Sequence, residues 1–186
     1  RQAAALAAAR KVAEHSDLEV PMFGVPEHYH SQPLYVLARF GQWQRILDEP
    51  RPPAQYVFMT GISHYARGLA FANLGQRNQA AAELGALRQL AADPGNREAY
   101  MAFAPLPTLL TIAEEVLAAE LATGRGLHDE AIARLTRAEF IKLRESDFVI
   151  GAKALGAGPL RIMFLHILRN ALAPILKILD DRFGLE

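Results

Sequence analysis

Cysteine is absent from the 186 residues of this chain, which excludes disulfides, thiol nucleophiles and cysteine-ligated metal sites. A charge excess of either sign is absent too, because 20 basic side chains are matched by 20 acidic ones. This balance gives no signal for nucleic-acid binding. Neither absence assigns a compartment, which stays open with a slight preference for the cytoplasm. Because the chain starts at Arg1 rather than methionine, we expect a fragment or a processed product.

Long uninterrupted apolar runs are missing as well. A membrane-spanning helix needs about 20 consecutive apolar residues. Residues 159–179 are the one candidate, but five polar or charged side chains interrupt them: Arg161, His166, Arg169, Asn170 and Lys177. Charged side chains of this number are too costly for a lipid-facing helix. We therefore predict no transmembrane span, and contact with a membrane surface stays open.

β-Branched residues are few, whereas alanine and leucine dominate the composition. This composition favours helices and predicts an all-α fold. Since no strand signal is present, no glycine-rich loop follows a strand to hold a phosphate, and no serine lies in a nucleophile elbow. The sequence therefore predicts no catalytic residue and no cofactor, and we expect the protein not to be an enzyme.

Residues 63–94 carry the clearest helical pattern of the chain. Small residues alternate at spacings of three and four with larger apolar ones, which is the period of a helix. Gly75 suits the end of a first helix, and Asp93-Pro94 suits the end of a second. Two helices joined by a short turn form a hairpin, which needs stacked neighbours to bury its apolar faces.

This stretch resembles a tetratricopeptide repeat (TPR). The matching residues are Gly68, Phe71, Gly75, Ala80 and Pro94. His64 and Arg67 depart from the family pattern, which prefers Trp and Leu there, and Pro94 comes about two residues late. The resemblance implies antiparallel helical hairpins stacked as a short α-solenoid, followed here by a C-terminal amphipathic helix.

The spacing of turn glycines suggests more than one repeat. Gly41 and Gly75 are 34 residues apart, which is the TPR period. We predict a repeat region over 1–143 with units at about 27–50, 61–94 and 112–143, preceded by a helix over 2–15. Within it, a helix is predicted over 31–40 with Pro33 in its first turn, and Thr108 or Thr111 is predicted to cap the helix of the third unit.

In TPR proteins the first helix of each unit lines a concave groove that binds protein or peptide. Carrying that register over predicts groove positions in all three units: Gln32, Tyr35, Arg39, Tyr65, Asn73 and Glu120, with His28 and Val116 beside them. Tyr and Arg often anchor interfaces. The alternative is that these residues are ordinary surface or packing positions between repeats.

Three histidines invite a metal hypothesis. His28 and His30 are neighbours, and His64 lies one period after His30. A zinc site needs further ligands and second-shell partners, and Glu27 is the one further ligand that the sequence offers here. His30 and His64 share a repeat position that usually packs, so packing is preferred and no metal site is predicted.

Residues 134–176 resemble a second family, the cytoplasmic coupling loop of dipeptide-type ABC-transporter permeases. The resemblance rests on Ala152, Ala154, Leu155, Gly156, Arg161, Ile162, Phe164, His166, Ile167, Leu168, Asn170 and Pro174. Ile150, Gly151 and Arg169 depart from the family pattern. In that family the loop docks on the ATP-hydrolysing subunit, which implies docking roles for Lys153, Gly156, Arg161, Phe164 and Arg169.

The C-terminal segment, residues 144–186, is also predicted to be a basic amphipathic helix. Its apolar stripe runs along Leu160, Met163, Phe164, Ile167, Leu168, Ala171, Leu172, Ile175 and Leu179, and Pro174 is expected to kink or break it. Three roles remain open for it: a cap packed on the repeats, a docking element for a partner, or contact with a membrane surface.

The first functional hypothesis is therefore a non-catalytic scaffold that binds a protein or peptide in its groove. The alternative is a transport-associated fragment whose permease-like segment docks on an ATP-hydrolysing subunit. The segment could in that case be borrowed sequence or a fusion.

Overall fold

The computed structural model describes residues 1–19, 25–101 and 104–183, and it has the all-α fold that the composition predicts. Its α-helices follow in chain order as α1 (Gln2–Glu14), α2 (Val25–Arg39), α3 (Trp43–Asp48), α4 (Val57–Asn73), α5 (Arg77–Ala92), α6 (Leu106–Thr123), α7 (His128–Arg144), α8 (Asp147–Ala154), α9 (Pro159–Arg161) and α10 (Arg169–Phe183). A π-helical segment, Ile162–Leu168, joins α9 to α10 without a break.

The proline-rich stretch before α6 contains a small hairpin that composition alone does not signal. After a 3₁₀ turn at Pro94–Asn96, strand β1 (Tyr100–Met101) pairs antiparallel with β2 (Ala104–Pro105). Met101 is buried against the main core. The stretch is thus an ordered insertion between α5 and α6 that carries two short strands.

The helices pack in a regular order. Helix α4 pairs with α5 and α6 pairs with α7, as two hairpins. The first helices of successive pairs, α2, α4 and α6, also lie side by side, while α3 packs on α4 and α5 packs on α6. This order is the one that stacked hairpins require, and the TPR-like stacking itself stays a prediction.

Turns at three glycines, of which Gly41 and Gly75 were predicted, share one backbone geometry. Gly41, Gly75 and Gly126 all have positive φ, between 64° and 76°, in the region where glycine pays no steric cost. After each, the next amide donates to a carbonyl five residues back, for example Gln76 N to Phe71 O at 2.8 Å. This bond closes the preceding helix by satisfying a free carbonyl.

Two other glycines set the distance between α4 and α6. A Cβ atom at Gly61 would lie 2.3 Å from Leu110 Cδ2, and one at Gly68 would lie 2.4 Å from Leu117 Cδ2. Both leucines are fully buried. The small residue that the repeat pattern requires at position 68 is therefore a seat for a leucine side chain.

The main core lies between α4, α5 and α6. It includes Phe58, Ile62, Leu87, Leu110 and Leu117, all buried. A second cluster around Leu37 and Ile46 joins α1, α2, α3 and α4. A third, mostly of alanines, joins α6 to α7.

An acidic side chain links the first helices of two predicted units. Glu27 of α2 accepts hydrogen bonds at Oε2 from the amides of Phe58 and Met59, at 3.0 and 3.2 Å. These amides belong to the first turn of α4, where an acceptor with negative charge is favourable. Glu27 therefore supplies from a distant helix the cap that α4 lacks locally.

Two predicted helix starts are wrong. Helix α2 begins at Val25 rather than Ser31, so Pro26 occupies the first turn and Pro33 lies in the interior. An interior proline loses one backbone hydrogen bond, and Pro33 is buried, which offsets that loss. Pro21 and Gly24 predict a break between α1 and α2, and both residues lie outside the described ranges.

Helix α6 likewise begins at Leu106, before the threonines that were predicted to cap it. Pro107 sits in its first turn, a position that proline favours because its missing N–H has no partner there in any helix. Thr111 instead donates from Oγ1 to Pro107 O at 2.8 Å, within the helix.

Candidate functional site: the groove and the C-terminal segment

An apolar pocket opens where the first helices α2, α4 and α6 lie side by side. Its volume is about 260 Å³. Its lining comprises His28, Tyr35, Phe58, Ile62, Tyr65, Leu109, Ile112, Ala113 and Val116. A concave, mostly apolar cavity with few polar groups is the usual form of a binding site. We call it the aromatic pocket.

Two tyrosines supply most of the polar character of the aromatic pocket. Burial raises the pKa of the Tyr35 hydroxyl far above its ordinary value, and the proximity of Tyr65 raises it further. Tyr35 is therefore neutral at every physiological pH. It offers a ligand a hydrogen bond and an aromatic face, but no charge.

His28 lines the aromatic pocket from α2. Its ring lies 6.2 Å from that of Phe58 and 5.9 Å from that of Tyr29, measured between centroids. Its Nε2 atom is 2.8 Å from Gln32 Nε2, one turn further along α2. Gln32 therefore contacts a lining residue and does not itself line the pocket.

The structure brings together some of the predicted groove residues and separates others. Tyr35 and Tyr65 line the aromatic pocket, as do His28 and Val116. The other four predicted residues do not line it: Gln32 lies beside His28, Arg39 is exposed at the end of α2, Asn73 bonds its own helix at Leu69 O, and Glu120 lies further along α6.

Several lining residues were not predicted, although a signal for them exists. Leu109, Ile112 and Ala113 recur with the predicted Val116 at spacings of three and four, which places them on one helical face. The third unit was predicted to begin at residue 112, whereas α6 begins at Leu106, so the first turn of this helix was not considered. The helical spacing of the apolar residues, without the repeat register, predicts these lining positions.

A buried carboxylate of α5 accounts for the histidine at position 64 and the arginine at position 67. Glu83 of α5 is buried, and His64 Nδ1 lies 2.6 Å from its Oε2. Arg67 Nε donates to its Oε1 at 3.0 Å and Arg51 Nη2 at 2.9 Å. His64 is therefore a partner of Glu83 rather than a packing residue, which corrects the packing hypothesis.

Arg67 completes this network. It donates from Nη1 to Leu47 O at 3.2 Å, and its guanidinium lies 5.5 Å from the centre of the Phe71 ring. One side chain thus joins α3, α4 and α5. Where the family prefers apolar side chains at 64 and 67, this chain has a hydrogen-bonded ion cluster.

The histidines do not converge. His30 Nε2 lies 2.8 Å from Ser16 O, His64 bonds Glu83, and His28 lines the aromatic pocket. Within the described ranges, no three His, Asp or Glu side chains are placed to hold a metal ion.

The C-terminal segment packs on α7. A small cluster of Val149, Ile162 and Ile167 is buried against Phe140 and Leu143 of α7. Helix α8 ends in a turn at Gly156, where φ is 79° and Ala157 N donates to Ala152 O. The chain then reverses into α9, the π-helical segment and α10.

The predicted apolar stripe of this segment is split, and of the kink or break predicted at Pro174 the break is wrong. Within the stripe, Ile167 and Ala171 are buried, whereas Leu160 and Met163 are exposed. The irregularity is the π-helical segment, whose wider turn shifts later residues around the axis relative to a regular α-helix. Helix α10 continues through Pro174 to Phe183.

Helices α8 to α10 form a hairpin, which we call the C-terminal hairpin. The predicted docking residues lie along it. Gly156 forms its turn, while the side chains of Lys153, Arg161, Phe164 and Arg169 are outside the described part of the structure. Described apolar neighbours of the turn are highly accessible, with Leu155 exposed by 90% and Leu160 by 71%. Every helix in the described ranges is too short or too polar to traverse a bilayer.

Comparison with known proteins identifies the same segment. Residues 131–179 match the family described as "Binding-protein-dependent transport system inner membrane component". This match confirms the resemblance predicted for residues 134–176. No solved structure matches the chain significantly.

Individual relatives are dipeptide permeases. Over 55 residues, 30% of this chain, it is 44% identical to the di/tripeptide transport system permease protein DppB of Pseudomonas aeruginosa. Over 51 residues, 27% of the chain, it is 54% identical to DppC of Alkalihalophilus pseudofirmus. The chain covers only 15% and 17% of these relatives' lengths. The similarity therefore concerns one segment and not a whole permease.

Proposed function

We propose that this chain is a transport-associated protein whose C-terminal hairpin docks on an ATP-hydrolysing subunit of a dipeptide-type ABC transporter. The observation that carries the proposal is the family match over residues 131–179, together with relatives named as peptide permeases. The relatives are transport proteins rather than enzymes, so the proposal assigns no catalytic step.

The geometry of the hairpin supports a docking role. Val149, Ile162 and Ile167 hold its two arms together and against α7. Its turn at Gly156 presents Leu155 and Leu160 to the surroundings. Apolar side chains fixed at an accessible turn are suitable anchors for a partner, since a few such residues carry most of the energy of an interface.

A direct binding measurement tests this proposal. The full chain is titrated against the purified ATP-hydrolysing subunit of a dipeptide-type transporter, and Leu155→Asp with Leu160→Asp is compared with the unchanged protein. Loss of two anchors is expected to weaken binding at least about tenfold. Leu74→Asp, an exposed leucine at the turn after α4, is the matched control. Equal binding by the unchanged protein and the double variant would refute the docking role.

The aromatic pocket supports a second candidate function, the binding of a protein or peptide segment in the groove. Tyr35 and Tyr65 face a shared apolar wall from α4 and α6. An inserted apolar side chain would gain that surface and the tyrosine rings. This function is compatible with the first, because the pocket and the hairpin occupy different helices.

Selection of peptides by display on the full chain tests the groove. Val116→Arg places a large cation in the lining and is expected to abolish capture of the selected peptides, whereas Asn73→Ala, outside the lining, is expected to leave it unchanged. Peptides that bind the Val116→Arg variant equally well would show that they use another surface.

A further inference from the structure

A second cavity, on the other side of α6, is lined by arginine side chains. It lies between α5, α6 and α7 and has a volume of about 380 Å³. Its lining comprises Arg77, Asn78, Ala81, Leu84, Arg88, Ala118, Leu121, Ala122, Arg125, Glu130 and Arg134. Four guanidinium groups against one carboxylate make it the most basic of the cavities described here. We call it the arginine pocket.

Two of the four arginines are neutralised by neighbouring carboxylates. Arg88 Nε lies 2.9 Å from Glu114 Oε1. Arg134 lies 3.0 Å from Glu130 and 3.2 Å from Glu115, and Arg137 shares Glu115 at 3.0 Å. Carboxylates of the same chain balance these two charges, and the ion pairs hold Arg88 and Arg134 in place in the wall of the arginine pocket.

The other two arginines keep their charge. Arg77 Nη2 donates to the Gly124 carbonyl at 2.7 Å, and a carbonyl carries no net charge. No ion pair among the described residues involves Arg77 or the adjacent Arg125. The bond to Gly124 brings the Arg77 guanidinium to the turn that carries Arg125. Two uncompensated cations therefore border one end of the cavity.

The floor of the arginine pocket is apolar. Leu84 of α5 and Leu121 of α6 contribute to it, together with the small side chains of Ala118 and Ala122. A guanidinium recognises carboxylate and phosphate oxygens through paired N–H donors. An apolar floor beside such donors suits a ligand with an acid group at one end, and the volume is that of a small-molecule site.

We propose that the arginine pocket binds a small organic anion, with its carboxylate or phosphate on Arg77 and Arg125 and its apolar body on the floor. This site is separate from the aromatic pocket and from the C-terminal hairpin, and it does not depend on either proposed function. The shared chemistry is an oxyanion on an apolar body, and the probes below separate the two head groups.

Calorimetric titration of the full chain with octanoate, octyl phosphate and octanol tests the proposal. The two anions are expected to bind and the neutral alcohol is not, and the tighter anion identifies the preferred head group. Arg125→Gln is expected to weaken anion binding about tenfold, since it removes a charged hydrogen-bond donor. Arg97→Gln, an exposed arginine outside the lining, is the control. Binding that Arg125→Gln does not alter, or binding of octanol as strong as that of octanoate, overturns the proposal.

A second variant tests the apolar floor without touching the charges. Ala81 lines the pocket from an exposed position on α5, so Ala81→Leu is expected to narrow the cavity and reduce octanoate binding. Gln89→Leu adds the same side chain to the same helix outside the lining. If both variants bind octanoate like the unchanged protein, the anion does not enter this cavity.

Discussion

The helical body, α1 to α7, and the C-terminal hairpin, α8 to α10, are stabilised differently. The body buries large apolar clusters and two carboxylates, Glu83 and Glu115, each with at least two basic partners. Among the described side chains, the hairpin buries one small apolar cluster. Half of the exposed large apolar side chains in the described residues, six of twelve, lie between Ile150 and Leu176.

The two regions therefore differ in how much apolar surface stabilises the fold and how much stays accessible. Among the described residues, the short hairpin has as many exposed large apolar side chains as the much longer body. The segment with known relatives is the less buried one, which is the combination expected of a sequence whose contacts lie partly outside this chain. The following predictions test whether the contrast holds.

Glu83→Ala is expected to have the largest effect on stability. It leaves the partly buried Arg67 and His64 without their carboxylate, and loss of one partner of a buried ion pair costs about 3 to 5 kcal/mol. Urea denaturation followed by circular dichroism measures the loss. Glu98→Ala, at an exposed position, is the control. A cost below about 1 kcal/mol would show that the cluster contributes little to the body.

A matched pair of cavity variants compares the two regions directly. Leu117 is fully buried in the main core, and Leu117→Ala is expected to cost about 3 kcal/mol. Ile167 is buried in the small cluster of the hairpin, where neighbours are fewer and relax more easily, so Ile167→Ala is expected to cost about 2 kcal/mol or less. Equal losses in urea denaturation would contradict the contrast.

The pH dependence of stability is expected to reflect Glu83. Its burial opposes ionisation, but hydrogen bonds from His64 and Arg67 and the charge of Arg51 outweigh burial and lower its pKa below the ordinary 4.5. A lowered pKa stabilises the fold above the unfolded-state value, and this contribution is lost as pH falls through the folded-state value. The stability difference between the unchanged protein and Glu83→Ala should therefore be constant near neutrality and narrow below about pH 4.5.

Glu27 provides a control, because its pKa is shifted in the opposite direction to that of Glu83. Burial raises its pKa, despite hydrogen bonds from the amides of Met59 and Phe58. A raised pKa means that the folded state holds the proton more tightly, so the contribution of Glu27 improves as pH falls toward 4.5. Relative to Glu27→Gln, the unchanged protein should gain stability over that range. A difference that does not change with pH would contradict the assignment.

Leu160→Ser is expected to have the smallest effect. The side chain is 71% exposed, so the change in free energy of unfolding should lie within about 0.5 kcal/mol. Self-association, measured by analytical ultracentrifugation, should fall or stay the same. A large loss of stability would show that the hairpin buries this residue in solution.

Much of the fold was predictable because its signals are local. Turn glycines at 41, 75 and 126 and the end of α5 before Pro94 follow from backbone rules. The Glu83 cluster was not predictable, since Arg51 lies 32 residues away and nothing local marks a glutamate as buried. For the same reason, the sequence predicted residues of the aromatic pocket only at positions that the repeat register assigned to the groove, such as Tyr35 and Tyr65.

The C-terminal hairpin shows another limit of local patterns. A regular 3.6-residue period was assumed for the apolar stripe, and the π-helical segment changes that period over Ile162–Leu168. Pro33 in α2 is similar, because its interior position depends on burial against neighbouring helices. In both cases tertiary packing overrides a preference that the sequence states clearly.

The seats at Gly61 and Gly68 also determine how α4 and α6 align along their lengths. The two glycines are seven residues apart, as are the two leucines that fill them, so both pairs engage together in the observed alignment. A slip of one helical turn would bring Leu110 against Tyr65 and Leu117 against Ala72, where a side chain replaces each glycine. The two contacts therefore disfavour a one-turn slip of α4 along α6 and, with it, a change in the shape of the pocket between these helices.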